Sequence, residues 1–248
     1  MTTLYHYCSG ETFTSIIKNQ SLWLSSMQES NDYLEGKLIN GIINNSTENN
    51  TDHTKQGNRT LLSNIIPMAN DCHGICFSTE RDKLSQWRGY ADDGRGFSIG
   101  FNKDWLLELA KKENALLQAV SYYDDYELQA SSQLEYALKI LDQAGRNAMT
   151  NIRPYLEFIY TSKHKSFAEE NEWRLIKFVN KTMIKNARFA NGKLIPYTEI
   201  NLQNLNESPI NEIIVGPKNL SDYFVTAAFL RNNGLGNIDI NKSISSYR

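Results

Sequence analysis

Residues 167–178 read FAEENEWRLIKF, three glutamates set against a tryptophan, an arginine and a run of apolar side chains. If the chain is extended from Glu170 onward, Glu170, Glu172 and Arg174 project from one face and Trp173 from the other, because side chains alternate along a strand. The pattern predicts a β-strand with one charged face and one apolar face. The fold must place that charged face either in water or in a cleft.

Two interpretations of the charged face remain open at this point. In the first, it is solvent-exposed and Arg174 only neutralises the glutamates, an arrangement that contributes about 0 to 1 kcal/mol per ion pair. In the second, the two carboxylates serve chemistry, and other residues converge on them. His6 in LYHYC, and Trp87 and Tyr90 in SQWRGY, could do so. Both segments are also typical of core, since large aromatic side chains are highly buried on average.

Composition limits the class of protein. The chain has 248 residues, 40% of them hydrophobic, which predicts a substantial core, and we interpret residues 1–248 as a single α+β domain. A net charge of -2 gives no basic field for nonspecific nucleic-acid binding. No apolar run approaches the roughly 20 residues of a membrane-spanning helix, and the first residues, MTTLYHYCSGETF, do not resemble a signal peptide. We therefore expect a cytoplasmic protein without a membrane partner.

Metal binding is not expected. The three cysteines, Cys8, Cys72 and Cys76, are too few for a disulfide framework and are interpreted as reduced. Cys72 and Cys76 flank His73, but a structural zinc site usually requires four ligands and no second cluster follows. Residues 44–60 contain almost nothing apolar, which predicts a mobile surface loop.

Hydrophobic periodicity predicts helices and strands in irregular alternation, which indicates an α+β fold. Ser9, Asn102, and Ser221 or Asp222 are expected to begin helices, and Gly234 to follow the end of the last one. Residues 81–95 are expected to combine a helical turn with a Gly-rich hairpin end. The predicted strands are 3–9, 21–26, 74–80, 96–101, 116–124, 172–179, 194–200, 210–216 and 237–242. The predicted helices are 9–20, 32–43, 102–115, most of 125–162, and 219–234.

The order of several motifs resembles the bacterial domain-of-unknown-function family 2971 over almost the whole chain. The motifs are LYHY, LWLSSMQESNDYLEG, ICFSTERDKLSQWRGYADDGRGFSIGF, HKSFAEENEWRLI and INEIIVGP. The family's Asn-Asp-x-x-Glu element is matched by Asn31, Asp32 and Glu35, its Trp-x-x-Tyr element by Trp87 and Tyr90, and its Glu-x-Glu-x-Arg element by Glu170, Glu172 and Arg174. The family name implies no reaction.

A more remote resemblance, to the ADP-ribosyltransferase superfamily, implies a reaction and a fold. The implied fold has mixed and antiparallel sheets with flanking helices around an NAD site. Carried over by position, His6 contacts the ribose on the adenosine side, with Tyr7 beside it. Tyr90 or Trp87 faces nicotinamide. The superfamily's Ser-Thr-Ser middle motif is matched only in part.

The same resemblance implies roles for the charged residues. Glu172 is the catalytic carboxylate and Glu170 orients the acceptor. Apart from the resemblance, the charge and planar fork of Arg174 suit it to keep Glu172 ionised or to contact a phosphate. A carboxylate suits this reaction because cleavage between nicotinamide and ribose builds positive charge on the sugar.

Three functions are compatible with these residues. The first is an NAD-using enzyme that transfers ADP-ribose to a protein or nucleic acid, or hydrolyses NAD, in a setting such as phage defence or a toxin system. The second is a non-catalytic module that binds a nucleotide or nucleic acid in the same cleft. The third is a nuclease in which Asp32, Glu35, Glu170 and Glu172 hold magnesium or manganese, since clustered carboxylates bind such ions.

Overall fold

A computed structural model describes residues 2–29, 70–125, 153–190, 192–204 and 209–247, with several positions between 129 and 139.

Three helices in these ranges begin at a residue whose side chain caps the first turn. The Ser9 hydroxyl accepts a hydrogen bond from the backbone N–H of Thr12, Asn102 caps the third helix in the same way, and Asp222 caps the fifth. Each cap satisfies a backbone donor that has no partner within its helix, so these three predicted starts are confirmed.

Five α-helices and twelve strands have both ends within the described chain, and the described positions between 129 and 139 are also helical. The helices are α1 (Gly10–Asn19), α2 (Leu84–Tyr90), α3 (Lys103–Lys112), α4 (Arg153–Tyr160) and α5 (Tyr223–Asn232). The strands are β1 (Thr3–Cys8), β2 (Ser21–Ser26), β3 (Asn70–Ser78), β4 (Phe97–Asn102), β5 (Leu116–Ala119), β6 (Ser121–Tyr123), β7 (Ser162–His164), β8 (Glu172–Asn180), β9 (Asn186–Ala190), β10 (Lys193–Asn201), β11 (Ile210–Val215) and β12 (Asp239–Lys242).

Ten strands form a mixed, largely antiparallel sheet, which confirms the α+β class. The order is β12-β11-β4-β1-β3-β2-β10-β9, with β8 on β3 and β5 on β8, and only the β11–β12 pair is parallel among these described strands. β6 and β7 form a separate two-stranded parallel sheet.

The sheet forks at β3. β8 pairs with β3 along its full length, so it occupies one entire edge of that strand. β1 and β2 must therefore share the other edge: β1 pairs at Ser78, and β2 pairs at Gly74 and His73. Within the described register, neither strand pairs with the three residues between these points, so β1 and β2 diverge there and leave an opening.

The two faces of the sheet carry different cores. The largest cluster lies on one face and includes Phe13 of α1, Leu106 of α3 and Leu230 of α5. The other face carries two smaller clusters, one containing Trp87 of α2 and one containing Tyr155 of α4. Helices thus cover both faces, and α2 and α4 lie on the same one.

Several boundaries differ from the prediction. β3 begins at Asn70, four residues before the expected strand, because its pairing with β8 extends to Asn180. Strand 116–124 is interrupted at Val120, and β7 and β9 were not predicted. The predicted helix 32–43 and loop 44–60 lie outside the described residues. Within the described part of the chain, no helix has the length and apolar character required to cross a membrane.

The connection between α2 and β4 packs tightly against β1. A Cβ atom on Gly96 would lie 2.0 Å from the backbone oxygen of Cys8, closer than real Cβ atoms approach any other atom. The Gly96 N–H also donates a 2.8 Å hydrogen bond to the Ala91 carbonyl, which follows α2 directly. Glycine at this position therefore lets α2 lie beside β1.

We expect Gly96→Ala to lower the free energy of unfolding by about 1 to 3 kcal/mol, because the added methyl group forces the backbone apart. Chemical denaturation monitored by circular dichroism measures this change. Gly89→Ala, within α2, is the matched control: its Cβ meets no heavy atom within 4 Å. The control should be neutral or stabilising by about 0.5 to 1 kcal/mol. Equal losses in the two variants would contradict the packing argument.

Candidate functional site

The fork at β3 opens into a cavity that collects most of the predicted site residues. β1 and β3 share one Cα pair, Tyr5 with Ser78, and Ser78 in turn pairs with Glu172 of β8. These three side chains therefore lie on one face of the sheet, between the cores beneath α2 and α4. The cavity is lined by Tyr5, His6, Tyr7, Cys76, Phe77, Gln86, Tyr90, Glu170 and Glu172.

Glu172 and Arg174 form a buried, two-pronged ion pair. The Nε of Arg174 lies 2.7 Å from one carboxylate oxygen of Glu172, and Nη2 lies 3.1 Å from the other. Nη1 donates a 2.8 Å hydrogen bond to the carbonyl of Tyr160, at the end of α4. Arg174 is 0% exposed and Glu172 is 6% exposed. The interpretation of this face as solvent-exposed is therefore wrong, because α4 covers it.

Lys163 of β7 bridges the two carboxylates. Its ammonium nitrogen lies 2.9 Å from an oxygen of Glu170 and 2.9 Å from an oxygen of Glu172. The side chain is 6% exposed, and the Phe167 ring lies 5.3 Å from the ammonium. A cation at this point lets the two carboxylates face the same space without repelling each other.

The cations keep Glu172 ionised. Burial raises the pKa of Glu172, but the charge and hydrogen bonds of Arg174, with the charge of Lys163, outweigh burial and lower it to about 2. Glu172 is therefore a carboxylate at every physiological pH. It can stabilise positive charge, but it cannot act as a general acid.

Glu170 reaches the cleft from a turn rather than from the strand. Residues 165–170 form a 3-10 helix, and Asn171 has a left-handed φ of 43° before β8 begins at Glu172. The condition that the chain is extended from Glu170 onward therefore does not hold, whereas the predicted strand 172–179 begins at the same residue as β8. The turn nevertheless brings both to Lys163, and the Ser78 hydroxyl holds it by donating a 2.6 Å hydrogen bond to the Glu170 carbonyl.

Tyr90 contacts Glu170 across the cleft. Its hydroxyl donates a 2.8 Å hydrogen bond to the free carboxylate oxygen of Glu170, the one that Lys163 does not contact. Burial raises the pKa of Tyr90, and the charge of Lys163 offsets this only in part. The hydroxyl therefore stays protonated and acts as a donor. The side chain is half-exposed at the mouth of the cleft.

His6 spans the gap between β1 and β3. Its Nδ1 lies 2.9 Å from the carbonyl oxygen of Cys76. A carbonyl only accepts, so Nδ1 carries the proton and Nε2 carries the lone pair in the neutral ring. Burial lowers the pKa of His6, an effect that the hydrogen bond to Cys76 opposes. A neutral imidazole in one tautomer results.

The remaining predicted residues divide between the cleft and the layer behind it. Tyr7 lines the cleft, with its hydroxyl donating to the Glu80 carbonyl at 2.7 Å. Trp87 lies behind Tyr7: it is 0% exposed, and its indole nitrogen donates to Asp82 at 2.6 Å. Trp87 therefore has no face free for a ligand. Arg174 is likewise behind the cleft, where it binds Glu172 and not a ligand phosphate.

Sequence reasoning missed several residues of this site, including Tyr5 and Phe77 of the cavity lining. Lys163 stands beside His164 and Lys165, a pattern typical of a positive surface rim, but its side chain is buried between the carboxylates. Tyr122, whose hydroxyl accepts a 2.9 Å hydrogen bond from the Glu172 N–H, and Cys76 gave no sequence signal. Gln86 did give one, because it precedes Tyr90 by four residues and such pairs share a helix face.

Two properties limit what the cleft can hold. Its volume is about 60 Å³, whereas pockets for whole organic ligands usually span a few hundred Å³. A dinucleotide would place only one end there, or would bind after the cleft opens. The ammonium of Lys163 already supplies the positive charge between Glu170 and Glu172. Among the described residues no group of three or more His, Cys, Asp and Glu could hold a metal ion, and Asp32 and Glu35 lie outside those residues.

The geometry defines an α+β protein with a cation-bridged carboxylate pair at a fork in its sheet. Residues 86–175 match the family described as Protein of unknown function (DUF2971). The matched segment runs from Gln86 to Leu175 and contains Tyr90, Lys163 and both glutamates, so the resemblance to this family is confirmed over that part of the chain. No curated protein and no solved structure matches the chain.

We expect Glu172→Gln to lower the free energy of unfolding by about 3 to 5 kcal/mol, because it leaves Arg174 buried without its counter-charge. Urea denaturation at neutral pH measures the loss. Glu113→Gln is the matched control: Glu113 pairs with Lys177 of the same strand, but its side chain is 23% exposed. The control should lose at most about 1 kcal/mol. A loss as small for Glu172→Gln would show that the buried pair contributes little.

The stability that Glu172 provides should depend on pH. Its folded pKa of about 2 lies below the ordinary value of 4.5, so its contribution is complete above pH 4.5 and is lost as the pH falls toward 2. The difference in unfolding free energy between wild type and Glu172→Gln should therefore shrink over that interval by about 3 kcal/mol. Denaturation curves at a series of pH values test this, and a constant difference would contradict it.

Proposed function

We propose that the cleft binds the nicotinamide end of NAD and breaks the bond between nicotinamide and ribose. ADP-ribose then passes to a protein or nucleic-acid acceptor, or to water. The observation that carries this proposal is the convergence of His6, Tyr90, Glu170 and Glu172 on one cavity, with Glu172 held ionised. These are four of the residues that the resemblance to ADP-ribosyltransferases assigns to that reaction.

The reaction needs a fixed negative charge more than a proton donor. The bonding electrons between the ribose C1′ and the nicotinamide nitrogen leave with nicotinamide, and C1′ becomes electron-deficient. An acceptor hydroxyl or water then bonds to C1′ and releases its proton to solvent. A buried carboxylate that stays ionised stabilises the cationic sugar at no cost in reorganisation. Glu172 meets this requirement because its pKa is about 2.

The other residues have roles that follow from their contacts. Tyr90 presents a half-exposed ring for stacking on nicotinamide. Glu170 is held at 2.8 Å by the Tyr90 hydroxyl and at 2.9 Å by Lys163, which suits a group that orients the acceptor. The Nε2 lone pair of His6 can accept a hydrogen bond from a ribose hydroxyl. Lys163 and Arg174 are positioning residues that act through the carboxylates.

One observation favours a second function, a binding module without catalysis. Both oxygens of Glu172 are already engaged, one by Arg174 and the other by Arg174 and Lys163. In this alternative the carboxylates form a structural ion network, and the cleft only recognises a nucleotide. Binding of NAD without any release of nicotinamide distinguishes this module from the enzyme.

Release of labelled nicotinamide from NAD tests the enzymatic proposal. We expect the wild type to release nicotinamide and Glu172→Gln to do so about 100-fold or more slowly, because a preorganised charge contributes that much to a reaction of this kind. Tyr90→Phe, at a half-exposed site, should fold normally and keep the stacking ring, but it should slow acceptor transfer because Glu170 loses its 2.8 Å hydrogen bond. Glu113→Gln, on the far side of β8, should retain the wild-type rate.

Folding is checked first by circular dichroism, because Glu172→Gln removes a buried charge. If that variant does not fold, Glu170→Gln and Tyr90→Phe together provide the test, since both change groups at the cleft mouth. An absence of both NAD binding and nicotinamide release in the wild type, with protein and nucleic-acid acceptors present, rejects the proposal. Unchanged rates in all the cleft variants reject it equally.

A further inference from the structure

A second and larger cavity lies on the other side of the fork, near the C-terminal end of β8. Its volume is about 400 Å³, which is within the usual range for small-molecule sites. It shares no lining residue with the first cleft. It is lined by His73, Lys177, Phe178, Val179, Asn180, Met183, Ile184, Lys185, Asn186, Tyr197, Thr198 and Glu199.

The cavity has a polar floor built on His73. The Nδ1 of His73 forms a 2.8 Å hydrogen bond with the hydroxyl of Thr198, and its Nε2 lies 3.4 Å from an oxygen of Asp71. His73 is 1% exposed and Asp71 is 3% exposed. The Thr198 hydroxyl, the His73 ring and the Asp71 carboxylate therefore form a row that runs from the cavity wall into the interior.

Several buried polar atoms at this floor have no hydrogen-bond partner among the described residues. The Nε2 of His73, the Oδ1 of Asp71 and the hydroxyl of Ser26, which is paired with His73 across the β2–β3 register, have no hydrogen-bond partner among the described residues. Buried polar groups in folded proteins nearly always have partners. Only His73 among these residues lines the cavity, so a bound molecule would meet this polar group through the Thr198 hydroxyl and the His73 ring.

Charge around the cavity favours an anionic ligand. Lys177 and Lys185 line it, and residues 175–198 contain five cationic and no acidic side chains, in a chain of net charge -2. Lys177 pairs with Glu113 at 3.2 Å, whereas the exposed Lys185 forms no ion pair with any described residue. The single lining carboxylate, Glu199, accepts hydrogen bonds at Oε1 from the Ser21 hydroxyl at 2.7 Å and from the indole of Trp23 at 3.4 Å, and the two lining lysines outnumber it.

The wall also offers aromatic and apolar surface. The ring of Tyr197 stacks on Trp23 with centroids 4.3 Å apart, and Phe178, Met183 and Ile184 complete the apolar side. A planar ring can lie against such a wall, and base–aromatic stacking is a common basis of nucleotide binding. The cavity thus combines a surface for a flat ring, cations for a phosphate, and polar atoms for a sugar or base edge.

We propose that this cavity is a nucleotide-binding site in which Lys185 contacts the phosphate and the Thr198–His73 pair hydrogen-bonds the sugar or the base. The nucleotide is either free or the end of a single-stranded nucleic acid, since both present the same chemistry. The inference does not rest on the function proposed for the first cleft, because the two cavities are lined by different residues.

Histidine NMR tests the site directly, because the chain has only four histidines and one lies in each cavity. Titration with AMP should shift the ring signals of His73 and leave those of His6 unchanged. Adenosine and inorganic phosphate, each lacking part of the ligand, should shift them less at equal concentration. A short single-stranded oligoadenylate that binds more tightly than AMP identifies a strand end as the ligand, and equal or weaker binding identifies the free nucleotide.

Two conservative variants then measure the contribution of individual groups. Lys185→Ala, at an exposed position, should weaken AMP binding about three- to fivefold. Thr198→Val keeps the shape of the side chain, loses the hydroxyl, and should weaken binding by a similar factor. Lys242→Ala, on β12 at the opposite end of the sheet, is the matched control and should leave the affinity unchanged.

Three results would overturn the inference. The first is that no probe shifts the His73 signals at millimolar concentration. The second is that AMP shifts only His6, which assigns nucleotide binding to the first cleft. The third is an AMP affinity that neither Lys185→Ala nor Thr198→Val alters. Failure of NAD turnover bears on none of these, so the two proposals stand or fall separately.

Discussion

The buried ion pair between Glu172 and Arg174 constrains the structure around the candidate site. A guanidinium that is 0% exposed requires several acceptors, since an unpaired buried charge is strongly destabilising. Arg174 finds them in the Glu172 carboxylate and in the carbonyl that ends α4. The pair thereby fixes where α4 meets the sheet. It also fixes the negative charge of the cleft, because Arg174 is the main reason that the pKa of Glu172 stays low.

The fork at β3 opens a cavity beside the Glu172 carboxylate. The separation of β1 from β2 leaves an opening along β3, and its Ser78 end lies beside Glu172. β3 can be shared because its two partners use different halves of the same edge, one at Ser78 and the other at Gly74. The second cavity arises from the same geometry, since His73 lies where β2 pairs with β3.

Strand and helix periodicity predicted most of the architecture, because apolar alternation and capping residues are local signals. The order of β3, β4, α3 and β8 and the three helix caps are examples. The start of β8 at Glu172 agrees with the predicted strand 172–179, whereas the extended conformation considered from Glu170 onward does not hold. Asn171 breaks the extension, because asparagine adopts left-handed backbone conformations more readily than most residues.

The site was predicted in part, for a similar reason. His6, Tyr90, Glu170 and Glu172 were recognised from motifs that each lie within a short segment. Lys163 was not recognised, because its burial depends on the parallel pairing of β6 with β7, two segments about forty residues apart. No local pattern encodes such a contact. Trp87 was chosen for its spacing from Tyr90, but helical spacing does not distinguish a ring that faces a cavity from one that packs behind it.

The charged site can form only when the small sheet of β6 and β7 is in place. It supplies Lys163, which bridges the carboxylates, and Tyr122, which receives the N–H of Glu172. If the small sheet detached, Glu170 and Glu172 would face each other without the ammonium between them, and their repulsion would push the cleft apart. The charged site therefore forms only when β6 and β7 have docked onto the rest of the protein. The last step of folding and the formation of the site are then the same event.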